Sequence, residues 1–172
     1  MKKENKLKRQ YEIPFAILKD GIHPFDFQID KTFFEYFDSF AFVSDGKCEV
    51  NVELDKKPTL LKLCITIKGS ITTNCDRCTF DLNIDIESEN SVVFKFGDLE
   101  MEETEEILVL HHHEHKLNLI NILYEFIFFA IPPKLEHPIE DCNQEMIDKL
   151  NEYIITEKPE PDPRWDALRN LK

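Results

Sequence analysis

The central part of the chain alternates apolar and polar residues, which is the pattern of β-strands with one buried face. One alternating run covers Cys48–Leu54 and a second covers Leu61–Ile67, with Asp55–Pro58 between them. We interpret this pair as an antiparallel hairpin with one buried face. Cys48 then lies on its apolar side, and Cys64 lies on the opposite side.

Further alternating runs extend this hairpin into a larger sheet. The segments 80–86 and 92–96 alternate in the same way and predict two separate strands. Tyr11–Phe15 and Ile107–Leu110 predict the first and last strands of the chain. The pattern therefore predicts a multi-stranded antiparallel sheet or partial barrel over about residues 48–97.

Three segments show the spacing of amphipathic helices. The first follows Asp30, a good N-cap residue, and the second ends at Pro132-Pro133. Their apolar positions, in chain order, are Phe33, Phe34, Phe37 and Phe40; Leu119, Ile120, Leu123, Phe126, Ile127 and Ala130; and Met146, Ile147, Leu150 and Ile154. With the strands, these helices predict an α+β fold in which a few helices pack on the sheet.

The length of 172 residues predicts one domain with a tail. We assign residues 1–155 to the domain, which begins with a basic N-terminal arm. Residues 156–172 are assigned to a proline-rich linker and a short C-terminal tail helix that begins near Asp162-Pro163. The apolar face of that helix contains Trp165, Leu168 and Leu171. This face either docks on the domain or binds a partner protein.

The chain is acidic, because 21 lysines and arginines oppose 34 aspartates and glutamates, for a formal net charge of −13. This balance excludes a histone-like protein that coats nucleic acid through many basic side chains. The basic N-terminal arm is either a solvated flexible end or a contact for RNA or an acidic partner. The candidate residues for contacting RNA or a protein partner are Lys6, Lys8, Arg9, Arg77, Arg164, Trp165 and Arg169.

The lack of a recognisable signal peptide or membrane span and the use of cysteine predict a soluble, cytoplasmic protein. The first twenty residues contain no continuous apolar segment of the kind found in signal peptides. The longest apolar run, Leu117–Ile131, contains polar residues and is too short to span a bilayer. In a reducing cytosol, the five cysteines are expected to be core thiols or metal ligands rather than disulfides.

The motif Cys75-Asp76-Arg77-Cys78 is half of a possible zinc site, since a C-x-x-C turn can direct two thiolates at one tetrahedral ion. The candidate second half is His137 and Cys142, which would complete a Cys₃His set. The alternative is that Cys75 and Cys78 are reduced cysteines of a turn. A redox pair is less favoured because a strand, not a helix, follows the motif.

The segment His111–His115 contains His111, Glu114 and His115 at the spacing of an inverted zinc-protease motif. If this segment is helical, both histidines can share a metal with Glu114 as general base. The alternatives are a partly solvated loop or an adventitious or regulatory metal contact. Because the Gly-rich phosphate-binding motifs and the nucleophile-elbow motif are also absent from the sequence, we expect no enzyme.

A series of short motifs follows the C-x-R-C turn in a distinctive order. A helix with an internal glutamate, Glu125, closes on Ile131-Pro132, and the cysteine-containing segment His137–Cys142 follows it. The chain then ends on Asp162-Pro163-Arg164 followed by two leucines, Leu168 and Leu171. In this combination the sequence resembles the YceD family, the bacterial large ribosomal RNA subunit accumulation proteins.

The resemblance implies a cytoplasmic, non-catalytic ribosome-biogenesis factor that supports accumulation or processing of large-subunit ribosomal RNA. Its implied partner is that RNA, a pre-ribosomal particle or a basic ribosomal protein. The motif residues that carry over are Cys75, Arg77, Cys78, Glu125, Cys142 and Asp162-Pro163-Arg164. Two other functions stay open: a small metal-dependent hydrolase that uses the His111, Glu114 and His115 cluster, and a zinc-stabilised protein-interaction module.

Overall fold

The computed structural model describes residues 2–37, 43–97, 107–111 and 113–154. Its helices and strands, in chain order, are α1 (Lys2–Gln10), β1 (Glu12–Ile13), β2 (Gly21–Ile29), α2 (Lys31–Tyr36), β3 (Asp45–Lys56), β4 (Leu60–Asn74), β5 (Asp81–Gly97), β6 (Ile107–His111), β7 (Leu117–Asn118), α3 (Ile120–Ala130) and α4 (Gln144–Tyr153). Short 3₁₀ turns lie at Phe15–Ile17 and Ile139–Asp141.

Five strands form an open sheet in the order β2-β3-β4-β5-β6. The pairs from β2 to β5 are antiparallel, and β6 runs parallel to β5. The predicted hairpin is confirmed as β3 and β4, with Val50 opposite Ile67 and Leu54 opposite Leu63. The predicted α+β fold is therefore confirmed, and the sheet is not closed into a barrel.

Strand β5 corrects one prediction, because residues 81–97 form one strand where the alternation indicated two. Polar residues from Glu87 to Ser91 interrupt the apolar alternation in its middle. The register with β4 nevertheless runs without a break, from Leu60 opposite Lys95 to Asn74 opposite Asp81. Hydrogen bonds to β4 hold the backbone extended, whatever side chains the middle of β5 carries.

Strand β2 has no counterpart among the predictions. Its half-buried Phe25 and Phe27 alternate with the exposed Pro24 and Asp26. Proline inside an apparent strand counts against a strand in a sequence pattern, because it removes a hydrogen-bond donor. β2 tolerates Pro24 because it lies at the edge of the sheet.

The inner face of the sheet carries the hydrophobic core, with α2 packed on β3 and α3 packed on β5. Asp30 caps α2 as predicted, and its carboxylate accepts a hydrogen bond from the Thr32 N–H at 2.9 Å. Phe33 behind this cap is fully buried. The described phenylalanines of this segment, Phe33, Phe34 and Phe37, therefore belong to the core or pack against it.

The two later helices follow their predicted positions. Helix α3 ends at Ala130, two residues before Pro132, and its Leu123 and Ile127 lie in the core. Helix α4 contains Met146, Ile147 and Leu150 of the predicted helix and ends one residue before Ile154. None of the helices in the described part of the chain is long and apolar enough to cross a membrane.

The N-terminal segment, predicted to be a flexible end or arm, is the helix α1. Leu7 packs against the core, and the Lys8 carbonyl accepts a hydrogen bond from Asn118 Nδ2 at 3.0 Å. The Lys8 ammonium also lies 5.7 Å from the centre of the Tyr36 ring, within reach of a cation–π contact. The predicted first strand shrinks to β1, which pairs with β7.

Some predictions fall on residues outside the described ranges. Phe40 of the predicted first helix is one of them. The predicted linker and tail helix at 156–172 also lie outside these ranges, so the domain boundary after residue 155 stays a prediction.

Candidate metal centre

Three cysteines and one histidine converge at the end of the sheet where β4 leads into β5. Cys75 and Cys78 lie on the turn between these strands, and His137 and Cys142 lie between α3 and α4. Their ligand atoms all lie within 4.8 Å of one another, and the three thiols are buried. The fold therefore brings together the four residues that the sequence singled out.

The turn between β4 and β5 directs its two cysteines at one point. The Cys75 N–H donates to the Phe80 carbonyl at 2.8 Å, and the Thr79 N–H donates to the Cys75 carbonyl at 2.8 Å. Thr79 has a φ of 64°, a left-handed conformation that threonine rarely adopts. The pairing of the flanking strands thus enforces a tight turn, the geometry in which a C-x-x-C pair can share one ion.

The segment after α3 is tied to this turn by reciprocal hydrogen bonds. The Asp76 N–H donates to the Leu135 carbonyl at 2.7 Å, and the Leu135 N–H donates back to the Asp76 carboxylate at 2.8 Å. The Arg77 guanidinium forms an ion pair with Glu136, which also lies 2.9 Å from the Lys134 ammonium. These bonds hold the two ligand-bearing segments side by side.

The imidazole ring of His137 is oriented like that of a metal ligand. Its Nδ1 lies 3.4 Å from the Cys78 Sγ, and its Nε2 lies 3.1 Å from the Asp81 carbonyl oxygen. Sulfur and nitrogen ligands of a tetrahedral zinc ion are about 3.6 Å apart, given the usual bond lengths. A ligating histidine usually donates its other ring N–H to a carbonyl or carboxylate. Both contacts fit Nδ1 as the ligand atom.

Local hydrogen bonds favour the thiolate form of the C-x-x-C cysteines. Burial opposes the ionisation of Cys75, but backbone hydrogen bonds from residues that include Cys78 and His137 outweigh it and lower its pKa to about 6. A backbone hydrogen bond from Asn143 is the main cause that lowers the pKa of Cys78. Burial raises the pKa of Cys142. The thiolate is the form of cysteine that binds metals.

The donor set fits a zinc ion. Three thiols and one imidazole match the Cys₃His sets of tetrahedral structural zinc sites. The protein itself would fill all four positions around the ion, and such closed sites are structural rather than catalytic. Within residues 2–37, 43–97, 107–111 and 113–154, no other group of three or more histidines, cysteines and carboxylates meets the geometry of a metal site.

The histidine tract does not have the geometry of the hydrolase motif. His111 ends β6, and residues 113–116 form a turn and irregular chain. The Glu114 N–H donates to the His111 carbonyl at 2.9 Å, and the rings of His111 and His113 stack with their centres 5.5 Å apart. None of the described residues of the tract, 111 and 113–115, is helical, so they lack the helical spacing that would place His111 and His115 on one face.

The candidate contact residues for RNA or a partner fall into three groups. Three are exposed on α1: Lys6, Lys8 and Arg9. Three lie outside the described residues: Arg164, Trp165 and Arg169. The seventh, Arg77, pairs with Glu136, and its Nη1 lies 3.8 Å from the Cys142 Sγ. Its side chain is only 21% exposed, so Arg77 is part of the support around the cluster.

Sequence reasoning missed the residues that hold the ligands in place. Asp76 and Glu136 join the two ligand-bearing segments, and the Asp81 carbonyl orients His137. Asp76 had a weak signal, because it lies inside the C-x-x-C motif. No sequence signal identified Glu136 or the Asp81 carbonyl, because only the folded chain brings them next to Arg77 and His137.

A protein-family model matches this chain. It is described as Large ribosomal RNA subunit accumulation protein YceD and covers residues 63–172, more than half of the chain. The matched region includes all four residues of the candidate metal centre. No curated protein and no solved structure gives a significant match. The chain therefore belongs to the YceD family, whose name assigns it a role in large ribosomal RNA subunit accumulation and which is not a known enzyme family.

Proposed function

We propose that this protein is a non-catalytic cytoplasmic factor that supports the accumulation of large-subunit ribosomal RNA by binding a component of the assembling subunit. The family match supports the role in ribosomal RNA accumulation. The observation that carries the binding role is the Cys₃His cluster, which leaves a bound zinc ion no open position for a substrate. A closed zinc site stabilises a binding surface and performs no reaction.

The proposed zinc ion joins segments that are far apart in the sequence. It would connect the turn at Cys75 and Cys78 to the segment that contains Cys142. Helix α4 packs against this cluster through Met146 and Ile147, and none of its residues is fully buried. We therefore expect the attachment of α4 to depend on the metal, whereas the sheet has its own large core.

The charges of the described surface favour a basic ribosomal protein as the partner. The outer face of the sheet is solvent-exposed, and its carboxylates outnumber its lysines. Its charged residues are Asp26, Asp45, Glu49, Glu53, Asp55, Asp81, Asp85, Glu87 and Glu89, with Lys47, Lys62, Lys68 and Lys95. Such a face attracts a basic partner and repels phosphate. The exposed cations of α1 are the described group that supports contact with RNA instead.

In cells that lack this gene, we expect the ratio of large-subunit to small-subunit ribosomal RNA to fall. A wild-type gene should restore the ratio, and the Cys75→Ser variant should not, because it loses a zinc ligand. The Cys64→Ser variant is the matched control, since Cys64 lies on the outer face of β4 and outside the cluster. An unchanged ratio in the deletion strain, with normal ribosome profiles, would contradict the proposed function.

A second expectation concerns the class of partner. At about 0.15 M salt, the purified protein should bind purified basic ribosomal proteins and should bind naked large-subunit RNA only weakly. Fluorescence titrations over a range of salt concentrations measure both. Tight binding to RNA alone, lost when Lys6, Lys8 and Arg9 are all changed to Glu, would show instead that α1 binds the RNA. In that case the logarithm of affinity should fall linearly with the logarithm of salt, by about 0.7 per phosphate contact to single strands.

A further inference from the structure

Strand β5 has one edge paired with β4 and a second edge that faces away from it. The Phe96 N–H donates to the Thr59 carbonyl at 3.4 Å, and the Phe80 carbonyl accepts from the Cys75 N–H at 2.8 Å. The register between these two contacts has no bulge. In a strand, the N–H and C=O of one residue point to the same side, and successive residues alternate. The even-numbered residues of β5 therefore bond to β4, and the odd-numbered residues face the second edge.

Both ends of this second edge are occupied. Strand β6 pairs with residues 93–97, and the Asp81 carbonyl lies 3.1 Å from the His137 Nε2. Between these ends, five residues present their backbone N–H and C=O groups without a strand partner in the part of the chain that the structure describes. They are Asn83, Asp85, Glu87, Glu89 and Ser91. This open stretch is about 27 Å long, the length of a strand of about nine residues.

The open edge lacks most of the features that normally protect a sheet edge. Proteins block exposed edges with proline, with lysine, with bulges or with very short strands. Residues 82–92 contain no proline, glycine or lysine, and the strand is 17 residues long. Its protection consists of carboxylates on the outer face, Asp85, Glu87 and Glu89. Pairing with a second copy would place these carboxylates opposite one another, which is unfavourable, whereas a basic strand would be attracted.

The inner face of the same stretch adds a second preference. Ile84 and Ser88 are half-buried there, and Ile86 is buried. The Ser88 hydroxyl oxygen is buried and has no hydrogen-bond partner within the described residues. If another strand paired with this edge, every second side chain of that strand would lie on the inner face, beside Ile84, Ile86 and Ser88. Small apolar or hydroxyl side chains fit that position, and a hydroxyl could bond to Ser88.

We propose that residues 83–91 of β5 bind an extended segment of a basic protein by strand addition. The segment would alternate lysine or arginine, facing Asp85 and Glu89, with apolar or hydroxyl residues facing Ile86. Main-chain hydrogen bonds would supply affinity, and the charges would exclude acidic strands. The inference rests on the proposed function, because it names the surface that its basic protein partner would use.

The test uses the full chain loaded with zinc and a synthetic peptide of about twelve residues in which lysine alternates with valine and threonine. We expect the peptide to slow amide hydrogen exchange at Asn83, Asp85, Glu87, Glu89 and Ser91 by at least about tenfold. The even-numbered amides already bond to β4 and should change little. A peptide of the same sequence with N-methylated backbone amides has the same charge but no donors, so it should bind far more weakly.

Two double variants separate strand addition from general charge attraction. Asp85→Lys with Glu89→Lys should weaken peptide binding by at least about tenfold. Glu49→Lys with Glu53→Lys makes the same charge change on β3, inside the sheet, and should weaken binding by less than about threefold. Equal weakening by both variants, or binding without slower exchange, would overturn the proposal.

Other occupants of the edge would also be visible. Slow exchange of the five amides before any peptide is added would mean that another segment of this chain or a second copy covers the edge. Protection by an RNA oligonucleotide but not by the peptide would equally refute the proposal. The cellular experiment on ribosomal RNA is independent, since a normal ratio together with peptide binding would contradict the proposed function and leave the strand-addition site standing.

Discussion

Replacing Cys75 with serine should reduce bound zinc from about one equivalent per chain to less than about 0.1. A serine hydroxyl is a poor zinc ligand, and the Cys75 thiol is the one whose pKa the surrounding backbone hydrogen bonds lower to about 6. Structural zinc in small zinc-finger peptides contributes about 10–16 kcal/mol of binding energy, which is also folding energy. Metal analysis after gel filtration in dilute chelator measures the loss.

The structural consequence of that loss should be local. The sheet retains its own core, whereas α4 has no fully buried residue and packs on the cluster through Met146 and Ile147. We therefore expect faster amide exchange over residues 135–154 in Cys75→Ser, with little change in the amides between β3 and β4. Chelation of the wild-type protein should have the same effect.

Two controls make this prediction specific to the cluster. Cys64→Ser should keep about one equivalent of zinc, because Cys64 lies outside the cluster on the outer face of β4. The experiment is repeated with His111, His113 and His115 changed to Ala, so that metal held by the histidine tract is not counted. A wild-type protein that is fully folded and free of metal after expression in zinc-rich medium would rule out the zinc site.

Replacing Gly69 with alanine should strongly destabilise the sheet. A Cβ atom at Gly69 would lie 2.2 Å from the Lys47 carbonyl oxygen and 2.5 Å from the Cys48 Cα. Both atoms belong to the backbone of β3, so no side-chain rotation can relieve the clash. We expect a loss of about 3 kcal/mol or more in the free energy of unfolding, and a fall in Tm of about 10 °C. Thermal unfolding followed by circular dichroism measures it.

Neighbouring substitutions serve as comparisons for this result. Gly46→Ala would bring the new Cβ within 2.8 Å of the Phe34 ring and 2.9 Å of an Ile71 methyl. These are side-chain atoms that can shift, so the cost should be smaller than at Gly69. Ser70→Ala changes an exposed residue of the same strand and should alter the free energy of unfolding by less than about 0.5 kcal/mol. If Gly69→Ala and Ser70→Ala are equally stable, the close approach of β3 and β4 at Gly69 is wrong.

Local patterns were sufficient for those elements whose side chains alternate or repeat clearly. The hairpin of β3 and β4 was predictable because the inward residues of its central part, such as Val52 and Ile65, are apolar. Helix α2 was predictable from the Asp30 cap, which acts on the backbone beside it. Strand β2 was not, because Pro24 is tolerated only at a sheet edge, and the position of a strand in the sheet is not visible in its own sequence.

The metal cluster shows the same division. The C-x-x-C spacing identified Cys75 and Cys78, because a tight turn brings two nearby cysteines together in almost any fold. His137 and Cys142 were assigned to the same site only because their side chains can bind zinc. The ligand atoms of all four residues lie within 4.8 Å of one another because of how α3 packs on the sheet. The roles of Glu136 and the Asp81 carbonyl followed from that arrangement.

The sequence by itself determined the α+β class, the main hairpin, the helices α2, α3 and α4, and the chemical identity of the four candidate ligands. These depend on side-chain periodicity, caps and residue type, which act over a few neighbouring residues. Only the tertiary structure decided that β5 is one long strand, that its residues 83–91 have no strand partner on one edge among the described residues, and that the described residues of the histidine tract are not helical. These features depend on which backbone groups find partners far along the chain, and no local pattern contains that information.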